Sequence, residues 1–424
     1  MNKGTDERFF DIIDGFHFID DTNVISTKKR EIKYKSEKMG EIVEYYDNNI
    51  LYSKCEFNSG GLNGYFVSYY ENGKMYEIVF YVNGKMNGLY FCYYENGFVQ
   101  KQINYIDGIK DGECKTFYEN GKTKEIYNYN NGKIDGMYFY YYDNGELMEK
   151  CVYINGNVIG DIVLYYDGQK IKKQCVMKNN LFDEKYFEYF EDGQLKRKCN
   201  FDEGKIEGVY TEYYNDGAIK EVCNCIKGKL FGDVTQYHKS GKIETKCKYF
   251  NGKEEGKFNE YYENGNKYIV CNYKNGILHG EYIIYYKNEE INESCYYTNG
   301  KKNGMFVSYY ENGKKHKLCI YSNDVKNGES LTYFEFGGLY EKCTYDNGEL
   351  NGLYESYYEN GMIFKKCSYN HGKLNGEFTC YHDNGFLNEK KTYVNGLIEG
   401  CYKCFDNNGC LLIADCFYNG KKVM

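Results

Sequence analysis

The chain has 424 residues, with 54 Lys and Arg against 62 Asp and Glu, giving a formal charge of −8. That balance disfavours broad electrostatic binding to nucleic acid or to acidic lipid. It holds 53 Tyr and 47 Gly but no Pro and no Trp, which excludes collagen-like and proline-tract architectures, and no apolar run is long enough for a membrane-spanning helix.

In chain order, Met1 to Phe10 lacks the apolar stretch of a secretory signal, and residues 1–14 read as an N-terminal cap or tail. Residues 15–39 read as degenerate repeats, with Gly15-Phe16-His17-Phe18 and Lys28 to Tyr34 as worn copies. From 40 to 424 a 24-residue frame runs without insertion or deletion. One Gly closes each Tyr-Tyr-Glu-Asn-Gly phrase, at 73, 97, 121 and 145, then from 193 to 265 and from 313 to 409. Gln169 and Glu289 fill the two skipped slots. A second Gly follows 11 residues later (Gly84, Gly108, Gly132), and a third four after that (Gly88, Gly112, Gly136).

Each unit reads as two strands joined by turns. Asn-Gly between β-prone runs signals a two-residue type I′ hairpin turn, and both Asn96-Gly97 and Asn83-Gly84 fit it. Such a loop would set Glu71 opposite Lys74. The alternation predicts an apolar face carrying Ile103, Tyr105, Tyr90, Cys92 and Tyr94, together with Val99, Leu147, Ile171, Leu195, Ile219 and Ile243. The other face is expected to be Lys, Glu, Asn and Thr, except for the first Tyr of each pair, such as Tyr93, Tyr141 and Tyr213. Strands of about nine and eleven residues do not close, so either the ribbon slants or a bulge sits at the third Gly.

The phrases G-x-Y-x-x-Y-Y-E-N-G-K and Y-x-N-G-K-x-x-G, best seen at Gly88 to Gly97 and Gly304 to Lys314, resemble the MORN-type repeat. They are similar to the variant of YwqK-like antitoxin proteins, and an array this rich in Tyr, Asn and Lys is similar to repeat proteins of large DNA viruses. The resemblance implies an all-β fold, an extended single-layer antiparallel β-meander of about 15 tandem two-strand repeats, used as a scaffold or interaction surface.

Cysteines recur at the same spacing from Cys151 to Cys367, with Cys55 in frame. Equivalent positions lie two strands apart, roughly 9–10 Å, too far for a disulfide. A row does not converge on one metal ion, so Cys is read as a small hydrophobe in a narrow slot, which Val79, Ile103 and Tyr127 fill elsewhere. The C-terminal group Cys380, His382, Cys401, Cys404, Cys410 and Cys416 includes a C-x-x-C, but positions i and i+3 of a strand face opposite ways. The six His form no repeated pairing with Ser and Asp, and no helix follows the glycines to make a phosphate loop. No catalytic, cofactor or metal residue is expected. The expected function is a non-enzymatic scaffold with a protein partner or a second copy on its surface, in a reducing, cytoplasm-like compartment (host cytoplasm or virion if viral). The alternatives are an antitoxin-like neutraliser of a toxic enzyme, or peripheral lipid binding, which the net charge disfavours.

Overall fold

The computed structural model describes residues 29–36, 39–59 and 61–423. The expected cap at 1–14 and the motif at Gly15 to Phe18 lie outside these residues. The described residues form 42 strands and no helix. They fall into two compact units, one running to Ile159 with Asp167–Gln169, the other comprising Gly160–Tyr166 and the residues from Lys170 onward. Each unit is a single-layer antiparallel β-meander of neighbouring strands, in which a two-residue strand such as Lys85–Met86 and the longer Gly88–Tyr93 after it both pair back on Met75–Val82. The degenerate segment is partly a hairpin, Lys29–Ser36 against Met39–Tyr45.

The short turn is as expected. Asn83 and Gly84 both have positive φ, at 48° and 79°, as a type I′ turn demands. The backbone N–H of Gly84 donates to Leu62 O at 2.7 Å, and that of Gly108 to Met86 O at 2.8 Å. Each turn thus spends a donor on the unit before it. The turn's other N–H also reaches back to the preceding repeat: Asp111 accepts from the Asn131 N–H at 3.1 Å, and Asp135 from the Asn155 N–H at 2.9 Å.

The Glu-Asn-Gly loop departs from the expectation. Tyr94 N–H donates to Phe98 O and Gly97 N–H to Tyr94 O, both at 2.8 Å, so residues 95–97 form a three-residue loop. Gly97 alone has positive φ there, 97°, the geometry of a type I turn closed by a left-handed Gly. Asn96 is tied in place by two bonds. Its Oδ1 accepts the Phe98 N–H at 2.9 Å, and its Nδ2 donates to Glu119 O of the next loop at 2.8 Å. Glu71 accordingly sits inside its loop rather than opposite Lys74: Tyr70, not Glu71, bonds to Lys74 O. Gln169 and Glu289 take the left-handed position at φ 63° and 71° where Gly is missing.

Two bulges close the frame. Cys92 pairs with Lys101 and Tyr93 with Val99, which leaves Gln100 as an extra residue. On the other side Ile103 pairs with Cys114 but Tyr105 with Lys110, so residues 111–113 lie opposite Asn104 alone. The third Gly is therefore the bulge: Gly112 has φ 92°, and Asn104 Nδ2 bridges the gap to Asp111 O at 2.8 Å.

The first bulge reverses the face of everything beyond it. Val99, Leu147, Ile171, Leu195, Ile219 and Ile243 pair with Tyr93, Tyr141, Tyr165, Tyr189, Tyr213 and Tyr237. They belong to the face of the first Tyr, not to the inner face. Straight alternation placed them wrongly because it carried no extra residue.

Candidate interaction faces

The inner face is built in three rows. The central row alternates large and small side chains strand by strand: Tyr210, Cys223, Val234, Cys247, Phe258, Cys271, Tyr282, Cys295. The thiols in it are buried, with Cys271 and Cys319 1% exposed, and Val79, Ile103 and Tyr127 fill the slot in the first unit. Short Cys leaves room that the flanking rings roof over. Burial raises the thiols, Cys199, Cys247, Cys271 and Cys295 each to about 11, which makes them poor nucleophiles. No disulfide joins the described cysteines. At the end of the row Lys391 takes the slot, with its ammonium 4.7 Å from the Phe378 ring and 2.7 Å from Glu389.

The second row is Tyr, packed edge-on against the central aromatics: Tyr138–Tyr153, Phe258–Tyr273 and Tyr282–Tyr297 have ring centroids 5.5–5.7 Å apart. The third row is polar. Ser68 donates to Glu77 at 3.1 Å, Thr116 to Glu125 at 2.7 Å, and Tyr138 Oη to Glu125 at 2.9 Å. Its most buried acid is Glu188, which accepts from Tyr186 Oη at 3.0 Å, Lys196 Nζ at 2.9 Å and Arg197 Nε. Burial would raise this carboxyl, but hydrogen bonds from Arg197 and Lys196 hold it down at about 2. Sequence reading missed this row, because Lys101 and Glu125 stand in the frame as ordinary surface charges. The signal was there in the repeated Glu or Lys two positions before the Cys slot.

A column of hydroxyls binds unit to unit. The second Tyr of each pair donates to the carbonyl of the first Tyr 23 residues ahead: Tyr262 to Tyr285, Tyr286 to Tyr309 and Tyr310 to Tyr333, each at 2.8 Å. His238 and His382 stand in for that Tyr, with Nε2 2.9 Å from Tyr261 O and 3.1 Å from Phe405 O. Two of the six His are thereby structural. His279 stands where Asp111 accepts a turn N–H, and its Nδ1 is buried without a partner.

The second face varies along the chain. Around Tyr237 to Tyr261 it is basic, with a depression of about 330 Å³ lined by Asp233, Lys246, Lys248, Lys257 and Asn259. From Val270 to Leu331 it is apolar. Val270 pairs with Ile283, Val307 with Leu318, and Leu318 with Leu331. Beside them Tyr296, Met305 and Ile320 are 49%, 60% and 40% exposed. The first unit carries a similar group, Tyr65, Phe80 and Leu89, with Tyr65 edge-on to Phe80 at 5.0 Å. The expectation of a polar second face is therefore corrected. Toward the C-terminus ion pairs dominate that face, with Lys342–Glu329, Lys366–Glu355 and Lys390–Glu377 paired at 2.8–3.0 Å, and Leu353 stands exposed among them.

In the C-terminal cysteine group, Cys401 and Cys404 face opposite ways, as expected: Cys401 pairs with Cys416, and Cys404 with Ile413. Among the described residues no three His, Cys, Asp or Glu side chains converge as a metal site would require.

Known proteins place this arrangement. A family model described as a MORN repeat variant matches residues 62–83, 86–107, 110–131, 134–155, 185–203, 254–275, 302–323, 326–347, 350–371 and 374–395, a little over half of the chain. The strands continue in the same frame through the unmatched stretches, as at Ile219–Ile226 and Ile277–Tyr285. A search of curated proteins found no match. Among solved structures, the Photorhabdus luminescens Tc holotoxin pore carrying the mutation TccC3-D651A is similar at 10% identity and TM-score 0.15, over 91% of this chain and 25% of that one. TcdB2-TccC3 without its hypervariable C-terminal region is similar at 8% identity and TM-score 0.15, over 93% and 28%. The chain thus spans about a quarter of the length of each of these two.

Proposed function

Because this chain belongs to the MORN repeat variant family, we propose that it is a non-enzymatic scaffold that holds a protein partner on its second face. The apolar stretch from Val270 to Leu331 carries the proposal. It presents Tyr296, Met305 and Ile320 to solvent on three neighbouring strands, Ile291–Thr298, Gly304–Tyr309 and Lys315–Ser322, while the inner face buries its own apolar rows. Exposed contiguous apolar surface costs solubility and marks a contact surface. Aromatic residues and Met are the side chains that such contacts favour. The stretch is bounded on one side by the lysines near Asp233 and on the other by ion pairs, a polar rim around an apolar centre.

The compartment in this proposal is reducing and cytoplasm-like, the host cytoplasm or a virion if the gene is viral. Buried thiols that serve as small hydrophobes support it. The YwqK-antitoxin-type variant and a large-DNA-virus source belong to the same proposal, on the repeated phrase and on a composition rich in Lys, Asn, Tyr and Ile.

A photoreactive amino acid at position 305 tests the scaffold reading against one at position 366. The expected result is a discrete cross-linked protein, a partner or a second copy, from 305 and none from 366. Equal or absent cross-linking at both positions would overturn it.

A further inference from the structure

We propose that Cys401 and Cys416 form an exposed, reversible dithiol–disulfide site that exchanges with low-molecular-weight disulfides of the glutathione class. The two residues are direct cross-strand partners on Leu397–Phe405 and Leu411–Tyr418. Opposed residues of an antiparallel pair have Cα atoms about 4.5 or 5.5 Å apart, and both values fall in the range of about 4.4–6.8 Å that a disulfide spans. Their Sγ atoms are 3.7 Å apart, in contact, so side-chain rotation closes the bond without moving the backbone.

This pair differs from the other cysteines in both access and geometry. The thiols at every 24th position from Cys199 to Cys367 are buried in the central row and stand two strands apart, and Cys225, two residues from Cys223, is buried as well. Cys380 is also buried, and Cys404 lies on the opposite face against Ile413. Cys410 is exposed but sits in the loop, with its N–H bonded to Asp406. Both Cys401 and Cys416 are exposed. Two residues along, on the same face, Lys403 pairs across the sheet with Lys390. Lys390 is held by Glu377 at 2.8 Å, so Lys403 is the cation that favours approach of an anionic disulfide such as oxidised glutathione.

The exchange balances without any further reagent. A thiolate of the pair attacks one sulfur of oxidised glutathione and expels one glutathione thiolate, leaving a mixed disulfide. The second thiolate attacks the protein sulfur of that mixed disulfide, forms the Cys401–Cys416 bond and expels the second glutathione. Two protein thiols lose two electrons and two protons, and one glutathione disulfide becomes two thiols. The product closes the hairpin across its Asp406–Cys410 loop.

The test equilibrates the full chain in buffers of reduced and oxidised glutathione, quenches with acid, alkylates the remaining thiols and locates each linkage by fragment mass spectrometry. The expected product has two of the 19 thiols protected in a single Cys401–Cys416 disulfide. Cys401→Ser and Cys416→Ser should each stop at one glutathione adduct, and Cys410→Ser should behave as the unaltered chain. On the unaltered protein, phenylarsine oxide should protect the same two thiols at one equivalent per chain. The proposal fails if no intrachain bond forms under oxidising ratios, if glutathione adducts persist on the unaltered pair, or if the linkage needs Cys404 or Cys410.

Discussion

Two stretches of the second face, Val270 to Leu331 and Lys342 to Lys390, stand on the same frame and differ in almost nothing beneath it. Cys295 and Cys343 fill the same inner slot. Phe306–Tyr321 and Tyr354–Tyr369 make the same edge-on pair, with centroids 5.9 Å apart in each. Tyr310 and Tyr358 make the same reach to a carbonyl, at 2.8 and 2.9 Å. On the outward side one stretch exposes Met305 and Ile320 over the buried Val307, and the other shows Lys342–Glu329 and Lys366–Glu355. The inner face and turns therefore specify the fold, and the second face is free to vary. A repeat protein can vary the one without touching the other.

The largest expected effect comes from erasing that difference. Met305→Lys with Ile320→Lys, two exposed and directly opposed positions, should cost roughly 2 kcal/mol or more of partner affinity, about thirtyfold. Titration calorimetry or cross-linking yield would show it, with the melting temperature little changed. Loss of the fold instead would mean that the apolar stretch is structural.

Next is an inner-face change, which the comparison predicts will act on stability alone. Arg197→Ala leaves the buried Glu188 to Lys196 and Tyr186. The expected cost is about 2 kcal/mol, discounted because the Arg197 side chain is 38% exposed. Glu188 is held at about 2, below its ordinary 4.5, so it stabilises the fold fully above pH 4.5. That contribution disappears as pH falls toward 2. In the variant the acid limb of a urea–pH stability profile should move to higher pH.

A matched pair of glycine changes sharpens the claim that the frame is common to both stretches. Gly304 and Gly352 are bulge residues with φ 94° and 98°, and each has open space or only ordinary contact where a Cβ would go. Backbone strain alone should cost roughly 1–3 kcal/mol in Gly304→Ala and in Gly352→Ala. Denaturant midpoints that differ by more than the measurement error would show that the stretches are not equivalent.

The smallest effect is expected from Lys366→Ala. It removes a surface ion pair with Glu355, which salt and water already weaken. Partner binding should be unchanged and thermal stability within error. Glu355, which its hydrogen bond to Lys366 holds below the ordinary carboxylate range, should titrate closer to that range.

Much of this was legible in the residues. The frame, the type I′ turn at Asn83-Gly84 and the buried Cys column follow from spacing and from which residues tolerate positive φ. The loop at Glu95–Gly97 did not, because the same Asn-Gly dipeptide serves two turn types. What separates them is the bond from Asn96 to a loop 23 residues ahead, a contact that no local pattern reveals. The bulge at Gln100 was hidden for a related reason: one unpaired residue leaves no mark on composition but reverses parity for Val99 and its equivalents. The failure of nine- and eleven-residue strands to close pointed to a slanted ribbon or to a bulge at the third Gly, and of the two bulges only that at the third Gly was found that way. The apolar stretch at Val270 to Leu331 was obscured in turn, since its residues sit in positions that elsewhere hold Lys and Asn.

The hydroxyl that reaches 23 residues ahead has a consequence for how such a chain changes in length. Tyr262 bonds to Tyr285, Tyr286 to Tyr309, and Tyr310 to Tyr333. Removing residues 286–309 would bring Tyr310 directly behind Tyr285, and every remaining hydroxyl would still meet its carbonyl. Removing half as many would leave donors and acceptors facing the wrong partners. Length is thus quantised by the stitch: copying errors in whole units pass unnoticed by the fold, while fractional ones are rejected by it.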